Sequence, residues 1–251
     1  MITSLTSPKI ARVRRLLDTH SPREREELGA YVVEGLRAVR TAMDHSGASL
    51  EEIFIVEKWS SEFPSATLIS DEVAKKVSET VSSQGIFAVF ALPRPVRLEE
   101  LTGDVAVFIE LQDPGNAGTV IRSAHAFGLK TVALSKGSVD PFSAKVVRAT
   151  VGSLAATDVI TGETWSQMLD ALRNTHQILA FDVEGTDIRS VTPLRPVAMI
   201  FGNEARGLPD ELLADSSVIR VRIPMSGDVE SLNVASAATV AMYEISQRPS
   251  K

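Results

Sequence analysis

The sequence contains no cysteine, which excludes disulfides, a thiolate nucleophile and cysteine-ligated zinc. Its four histidines, at positions 20, 45, 125 and 176, show no metal-ligand spacing, so no metal is expected. No stretch approaches the roughly 20 uninterrupted apolar residues of a membrane span, and the N-terminus lacks the basic, apolar, small-residue order of a secretory signal. A cytoplasmic protein with no membrane partner is expected. Acid is missing from residues 1–17, which carry Lys9, Arg12, Arg14 and Arg15 in a chain of net charge −6. A local basic edge inside an acidic protein reads either as a solvated helix face or as a phosphate-contacting surface whose binding falls with salt.

What is present fits a globular protein of two domains: 251 residues, 44% hydrophobic and 23% charged. Residues 8–17 and 22–44 read as helices, the second with Ser21 as N-cap and Pro22 at its first position. Apolar, β-branched or aromatic runs at 51–57, 66–70 and 86–92 read as strands, with a helix at 71–79 between the last two. The segment 93–104, "PRPVRLEELTGD", shows no clear core face in its pattern, and a linker is expected at 96–104 between domains 1–95 and 105–251. A second alternation follows: strands at 105–111, 131–135, 177–183, 197–202 and 218–224, and helices at 117–128, 143–154, 165–174 and up to about 247. Apolar strands separated by helices predict an α/β domain with a parallel sheet covered on both faces, whose ligand sits beyond the carboxyl ends of the strands.

Three polar, glycine-bearing loops fall at those ends. "QDPGNAGTVIRSAHAFG" (112–128) reads either as a tight strand-to-helix turn or as the start of a helix whose free N–H groups hold an anion or a cofactor's polar groups, and it lacks both the P-loop lysine and the dinucleotide-binding glycine spacing. Arg122 interrupts the otherwise small and apolar run from Ala117 to Phe127, either as a surface arginine or as a fork for phosphate. "FGNEARGLP" (201–209) sets Glu204 between Gly202 and Gly207. In "IPMSGDVESLNVASAATVAMYE" (223–244), Ser231 or Asp228 is placed to cap the last helix. Leu232, Ala235, Ala238 or Thr239, Met242 and Ile245 recur at core spacing there, and capping leaves Asn233 unexplained.

Together, "NAGTVIRSAHAFG", "IFGNEARGLP" and "IPMSGDVESLNVASAATVAMYE" resemble the three motifs of the SpoU (TrmH) family of RNA ribose 2'-O-methyltransferases, of the SPOUT class, in family order. More weakly, "ITSLTSPKIARVRRL", "YVVEGLRAV" and "QGIFAVF" resemble the small α/β ribosomal-protein-like substrate-binding domain that precedes many family catalytic domains. The resemblance implies a C-terminal SPOUT domain with a deep trefoil knot, a homodimer whose interface helps form the active site, and S-adenosyl-L-methionine as cofactor. It implies that Gly202, Ile223 and Leu232 hold the methyl donor, and that Asn116, Arg122, Glu204, Ser231 and Asn233 are the polar active-site positions.

A guanidinium is a donor only, so Arg122 is expected to clamp phosphate and stabilise developing oxyanion charge rather than act as a base. Asn116, Ser231 and Asn233 are expected to orient the ribose and loops, and Glu204 to hold the knot's backbone or the arginine. RNA selection is expected from Lys9, Arg12, Arg14, Arg15, Arg23 and Arg25, with large-subunit (23S) ribosomal RNA favoured over transfer RNA. Two rivals are a non-catalytic RNA-binding protein on the same scaffold and a nicotinamide-dependent oxidoreductase. The second lacks its glycine fingerprint.

Overall fold

A computed structural model describes residues 1–18, 22–45, 47–78, 80 and 82–248. Ser21, read above as a helix cap, lies outside them, as does His20. The chain forms two compact units: Met1–Arg94 with Asp140–Ala156, and Pro95–Val139 with Thr157–Lys251. Among the described residues no helix is long and apolar enough to cross a membrane.

In the first unit, four strands, β1 (Ala30–Glu34), β2 (Leu50–Ile55), β3 (Thr67–Leu68) and β4 (Ile86–Ala91), form a sheet in the order β1-β4-β2-β3. Helices α1 (Pro8–Asp18), α2 (Pro22–Leu28), α3 (Leu36–Met43) and α4 (Asp71–Val77) accompany it. Ile10, Leu16, Phe54, Phe87 and Val89 form much of its core. The continuous helix expected over 22–44 is instead α2, β1 and α3. Gly29 and Gly35 adopt φ of 65° and 97°, which breaks the helix on both sides of "AYVVE". That segment is β-branched, almost wholly buried, and paired antiparallel with β4 from Ala30↔Ala91 to Glu34↔Phe87, so sheet pairing overrides the helical pattern.

The segment read as a helix over 143–154 also differs. Its helix α6 (Ala144–Thr150) stops where Val151 turns left-handed, at φ 51°. Asp140–Ala156 moreover belongs with residues 1–94 rather than with the rest of 105–251. Two observations show why: α6 packs on β1, and the buried Arg25 guanidinium donates to Asp140 at 2.8 Å. A domain cut at residue 95 therefore separates groups that share one core.

The second unit is a six-stranded sheet in the order β10-β8-β9-β5-β6-β7, with every pairing parallel. Its strands are β5 (Val105–Phe108), β6 (Thr131–Leu134), β7 (Asp158–Thr161), β8 (Gln177–Asp187), β9 (Val197–Phe201) and β10 (Val218–Arg222). Helices α5 (Pro114–Ala126), α7 (Trp165–Leu172), α8 (Asp210–Leu213) and α9 (Val234–Ser246) complete it. β7, absent from the sequence reading, is a short edge strand with only Ile160 fully buried, too little for an apolar run to reveal. From β5 the chain builds outward through β6 and β7, then crosses to place β9, β8 and β10 on the other side. The order reverses between β5 and β9, and such a reversal opens a crevice at the carboxyl edge. There Phe108, Phe201 and Phe181 stand in register and stack at centroid distances of 5.0 and 4.7 Å.

Candidate active site

On the β9 side of this reversal lies a cleft of about 440 Å³, built by β8 and β10 and by the segments that leave β9 and β10. Phe181 and Val183 come from β8, Gly202 to Glu204, Gly207 and Leu208 from the turn after β9, and Ile223, Met225, Ser231 to Val234 and Ala237 from the last connection and the start of α9. Its volume falls in the ordinary range for a small-molecule site, and its side chains are mostly apolar.

The turn after β9 is shaped by its own hydrogen bonds. Asn203 and Gly207 exchange backbone hydrogen bonds of 3.0 and 2.9 Å. The Asn203 Oδ1 accepts from the N–H groups of Ala205 (2.9 Å) and Arg206 (3.1 Å). A Cβ at Gly202 would lie 2.3 Å from the Gly207 carbonyl carbon and 2.6 Å from the Leu208 nitrogen. No side chain fits there, and the cleft wall at this point is bare backbone.

The three motif loops meet through one chain of side-chain hydrogen bonds. Asn233 Nδ2 donates to Asn116 Oδ1 at 3.1 Å, and Asn116 Nδ2 donates to Glu204 Oε1 at 3.2 Å. Each amide is thereby oriented, with the Glu204 carboxylate as the final acceptor. The helix N-terminus expected to hold an anion is already closed from within: α5 starts at Pro114, and Asp113 caps it by accepting from Asn116 N–H at 2.7 Å.

The last helix is capped by Asn233, not by Ser231 or Asp228. Asn233 Oδ1 accepts from the N–H groups of Ala235 (3.0 Å) and Ser236 (3.2 Å), so the residue that capping left unexplained is the cap. Leu232 precedes the helix, is 38% exposed and lines the cleft, so it leaves the core face, which Ala235, Ala238, Met242 and Ile245 keep. Replacing Asn233 by alanine is expected to cost about 1 kcal/mol of stability, whereas Ser231→Ala should unfold in urea like the parent protein. The reverse ranking would return the cap to Ser231.

Gly202, Glu204, Ile223, Ser231, Leu232 and Asn233 all line the cleft, and Asn116 joins it by hydrogen bonds. Arg122 stands apart. It is exposed on α5, is not among the cleft-lining residues, and makes no ion pair or side-chain hydrogen bond among the described residues. Sequence reasoning passed over Asn203, although an asparagine in a glycine-bearing loop is a turn signal. It also missed Asp182, which lines the cleft and is held by Arg220 Nε at 3.0 Å. Nothing in the local sequence marks that pair, because the partners lie on different strands.

The basic residues of the first unit divide differently from the expectation. The acid-free N-terminus meets acids of other elements: Lys9 pairs with Glu52, Arg12 with Glu51 at 2.7 Å and Arg15 with Glu24 at 2.9 Å, while Arg23 pairs within its own helix with Glu27 at 3.5 Å. These pairs are solvent-exposed and add little stability, and Arg14 is exposed without an ion pair among the described residues. Arg25 is the correction. It is 2% exposed and donates to Asp140 and to the Leu16 carbonyl, both at 2.8 Å, so it serves the core of this unit and not an RNA surface.

The comparisons with known proteins agree with this architecture. Residues 105–243 match the SpoU rRNA Methylase family, and residues 8–88 match the MRM3-like substrate binding domain. The chain is 30% identical to the 23S rRNA (guanosine(2553)-2'-O)-methyltransferase RlmP of Bacillus subtilis, over 96% of this chain and 98% of that one. The crystal structure of an AdoMet-bound rRNA methyltransferase from Sinorhizobium meliloti superposes with a TM-score of 0.81 at 29% identity, covering 97% of this chain and 95% of that one. A structure described as a putative RNA methyltransferase of the TrmH family from Porphyromonas gingivalis gives 0.80 at 28% identity, covering 96% and 98%. With a parallel sheet that carries, beside its reversal point, a cleft walled by the second and third motifs and tied to the first through Asn116, the chain belongs to the SpoU rRNA methylase family.

Proposed function

We propose that the protein is an S-adenosylmethionine-dependent methyltransferase that modifies a ribose 2'-hydroxyl of large-subunit ribosomal RNA, acting in the cytoplasm as a homodimer. The observation that carries this reading is the convergence of the three motif loops on one cleft through the Asn233–Asn116–Glu204 chain. The trefoil knot expected within residues 105–251 and the assignment of RNA selection to the N-terminal domain are parts of the same reading. Asp140–Ala156 joins that domain, so its removal as residues 1–95 alone is not a clean test.

The cleft suits the cofactor on its own chemistry. Phe181, Leu208, Ile223 and Leu232 offer apolar surface to a flat base, and the Gly202–Gly207 contact leaves backbone groups open where a side chain would intrude. When bound, S-adenosylmethionine supplies an electrophilic methyl group on a sulfonium. Asn116, Ser231 and Asn233 position the ribose at the mouth, and Glu204 fixes the Asn116 amide so that its oxygen faces Asn233. Arg122 grips the adjacent phosphate by a planar fork and stabilises the oxyanion as the hydroxyl proton passes to phosphate or water.

Arg122 does not line the cleft of its own chain, and this supports an arrangement in which each cleft receives Arg122 from the other copy. The helix that packs on α5, α9, exposes apolar side chains: Val240 is 43% and Tyr243 51% exposed, and Phe127 meets Tyr243 edge-on at 5.7 Å. Val240→Asp with Tyr243→Asp is expected to give a folded monomer in light scattering, with methyl transfer lost. A double variant that stays dimeric would move the interface elsewhere.

The deciding experiment incubates the protein with labelled S-adenosylmethionine and unmodified ribosomal or transfer RNA, then maps the product. The expected product is one 2'-O-methylated nucleotide in large-subunit RNA. Label on a base overturns the ribose reading, label only on transfer RNA overturns the substrate, and cofactor binding without transfer would favour a non-catalytic RNA binder.

A further inference from the structure

Glu110, just beyond β5, holds a backbone conformation that a residue with a side chain seldom adopts. Its φ is 49°, in the left-handed region where glycine is the usual occupant. Three of its groups are engaged. Its N–H donates to Ser135 Oγ at 2.9 Å, its carbonyl accepts from Asn203 Nδ2 at 2.9 Å, and its carboxylate pairs with the Arg206 guanidinium. The last two partners both belong to the turn after β9, of which Asn203, Glu204 and Gly207 line the cleft. Ser138 Oγ accepts from the next N–H, that of Leu111, at 3.0 Å, so the strained peptide is braced from the loop after β6 as well.

A left-handed backbone needs no carboxylate, and glycine would relieve it. Strain that persists with a side chain present points to a use for that side chain. Here the use is visible: the left-handed turn delivers the carbonyl to Asn203 and the carboxylate to Arg206 from the same residue. We propose that Glu110 is a positioning residue for the cofactor cleft, gripping the Asn203–Gly207 turn at two points so that this wall stands formed before an S-adenosyl nucleoside arrives. The proposal rests on the cofactor reading above and adds to it which residue pre-forms the site. Pre-formation raises affinity because binding then orders less of the chain.

The test measures S-adenosylhomocysteine affinity by calorimetry and melting temperature without ligand, for the full chain and three variants. Glu110→Gln and Glu110→Gly are each expected to weaken binding about fivefold, near the ceiling for one exposed ion pair. Glu110→Gly should melt at the parent temperature or higher, since it removes the strain. Without ligand, the Gly207 amide should exchange hydrogen faster in both variants. The charge-reversed pair Glu110→Arg with Arg206→Glu should recover most of the affinity. Parent-like affinity and exchange in Glu110→Gly would overturn the proposal, as would a melting temperature that falls in step with affinity, the mark of a merely structural residue. Failure of the parent protein itself to bind S-adenosylhomocysteine would overturn the cofactor reading, and with it this one.

Discussion

Arg122→Ala is expected to lose about 100- to 1,000-fold in kcat with S-adenosylmethionine affinity unchanged, the scale of removing one oxyanion donor from a preorganised site. The affinity should survive because Arg122 lies outside the cleft walls and holds up none of the loops that form them. The rate should fall because the remaining polar groups of the cleft are neutral (Asn116, Ser231, Asn233) or anionic (Glu204, Asp182), and none can neutralise negative charge on oxygen. Arg122→Lys should recover little, since an ammonium is a point charge and cannot replace the fork that spans phosphate and hydroxyl together. Single-turnover methylation of the mapped RNA alongside cofactor calorimetry separates the two effects. Turnover near the parent value would remove Arg122 from the chemistry, and a matching loss of cofactor affinity would make it part of the binding site. The alanine variant of each copy, mixed with a copy defective in the cleft, should restore partial activity if the two sites are shared between copies.

The second large effect is expected at Gly202. An alanine methyl there would sit 2.3 Å from one backbone carbon and 2.5 Å from its oxygen, well inside van der Waals contact. Backbone, unlike the end of a flexible side chain, cannot swing away, so the Asn203–Gly207 turn must open. We expect Gly202→Ala to cost about 2–3 kcal/mol, in the range of overpacking at a close-packed position. Cofactor binding should fall below detection, because the displaced turn supplies several cleft-lining residues. Gly207→Ala makes the control, since a Cβ there meets nothing within 4 Å and its cost is confined to the positive φ of 69°. Urea titration and calorimetry on the two variants should therefore differ sharply. Equal behaviour would show that the turn is held less tightly than its hydrogen bonds indicate.

Much of the lining of the candidate site was legible in sequence because its loops are each continuous. Gly202, Glu204, Ile223, Ser231, Leu232 and Asn233 could be named from short motifs, and the parallel sheet from the alternation of apolar strands and helices. What could not be read were relations across the chain. Asn233 looked surplus to capping because the cap's geometry depends on where the chain enters α9, and only the structure places its Oδ1 against two N–H groups. Arg25 looked like its basic neighbours until its partner Asp140, 115 residues away, appeared. The acid-free N-terminus is compensated by acids on β2 and α2.

By itself, then, the sequence determined the class of fold, the motif loops and the chemistry those loops resemble, because helices, strands and turns are written in local periodicity and glycine placement. It also settled that disulfide and thiolate chemistry are absent. Tertiary structure decided which polar groups act together: the Asn233–Asn116–Glu204 chain, the grip of Glu110 on the turn, the burial of Arg25 and the transfer of Asp140–Ala156 to the first unit. The physical reason is that a hydrogen bond or ion pair depends on distances of about 3 Å between groups that the chain separates by dozens of residues. Periodicity carries no information about such distances, and the strand order that creates them emerges only when the sheet is assembled.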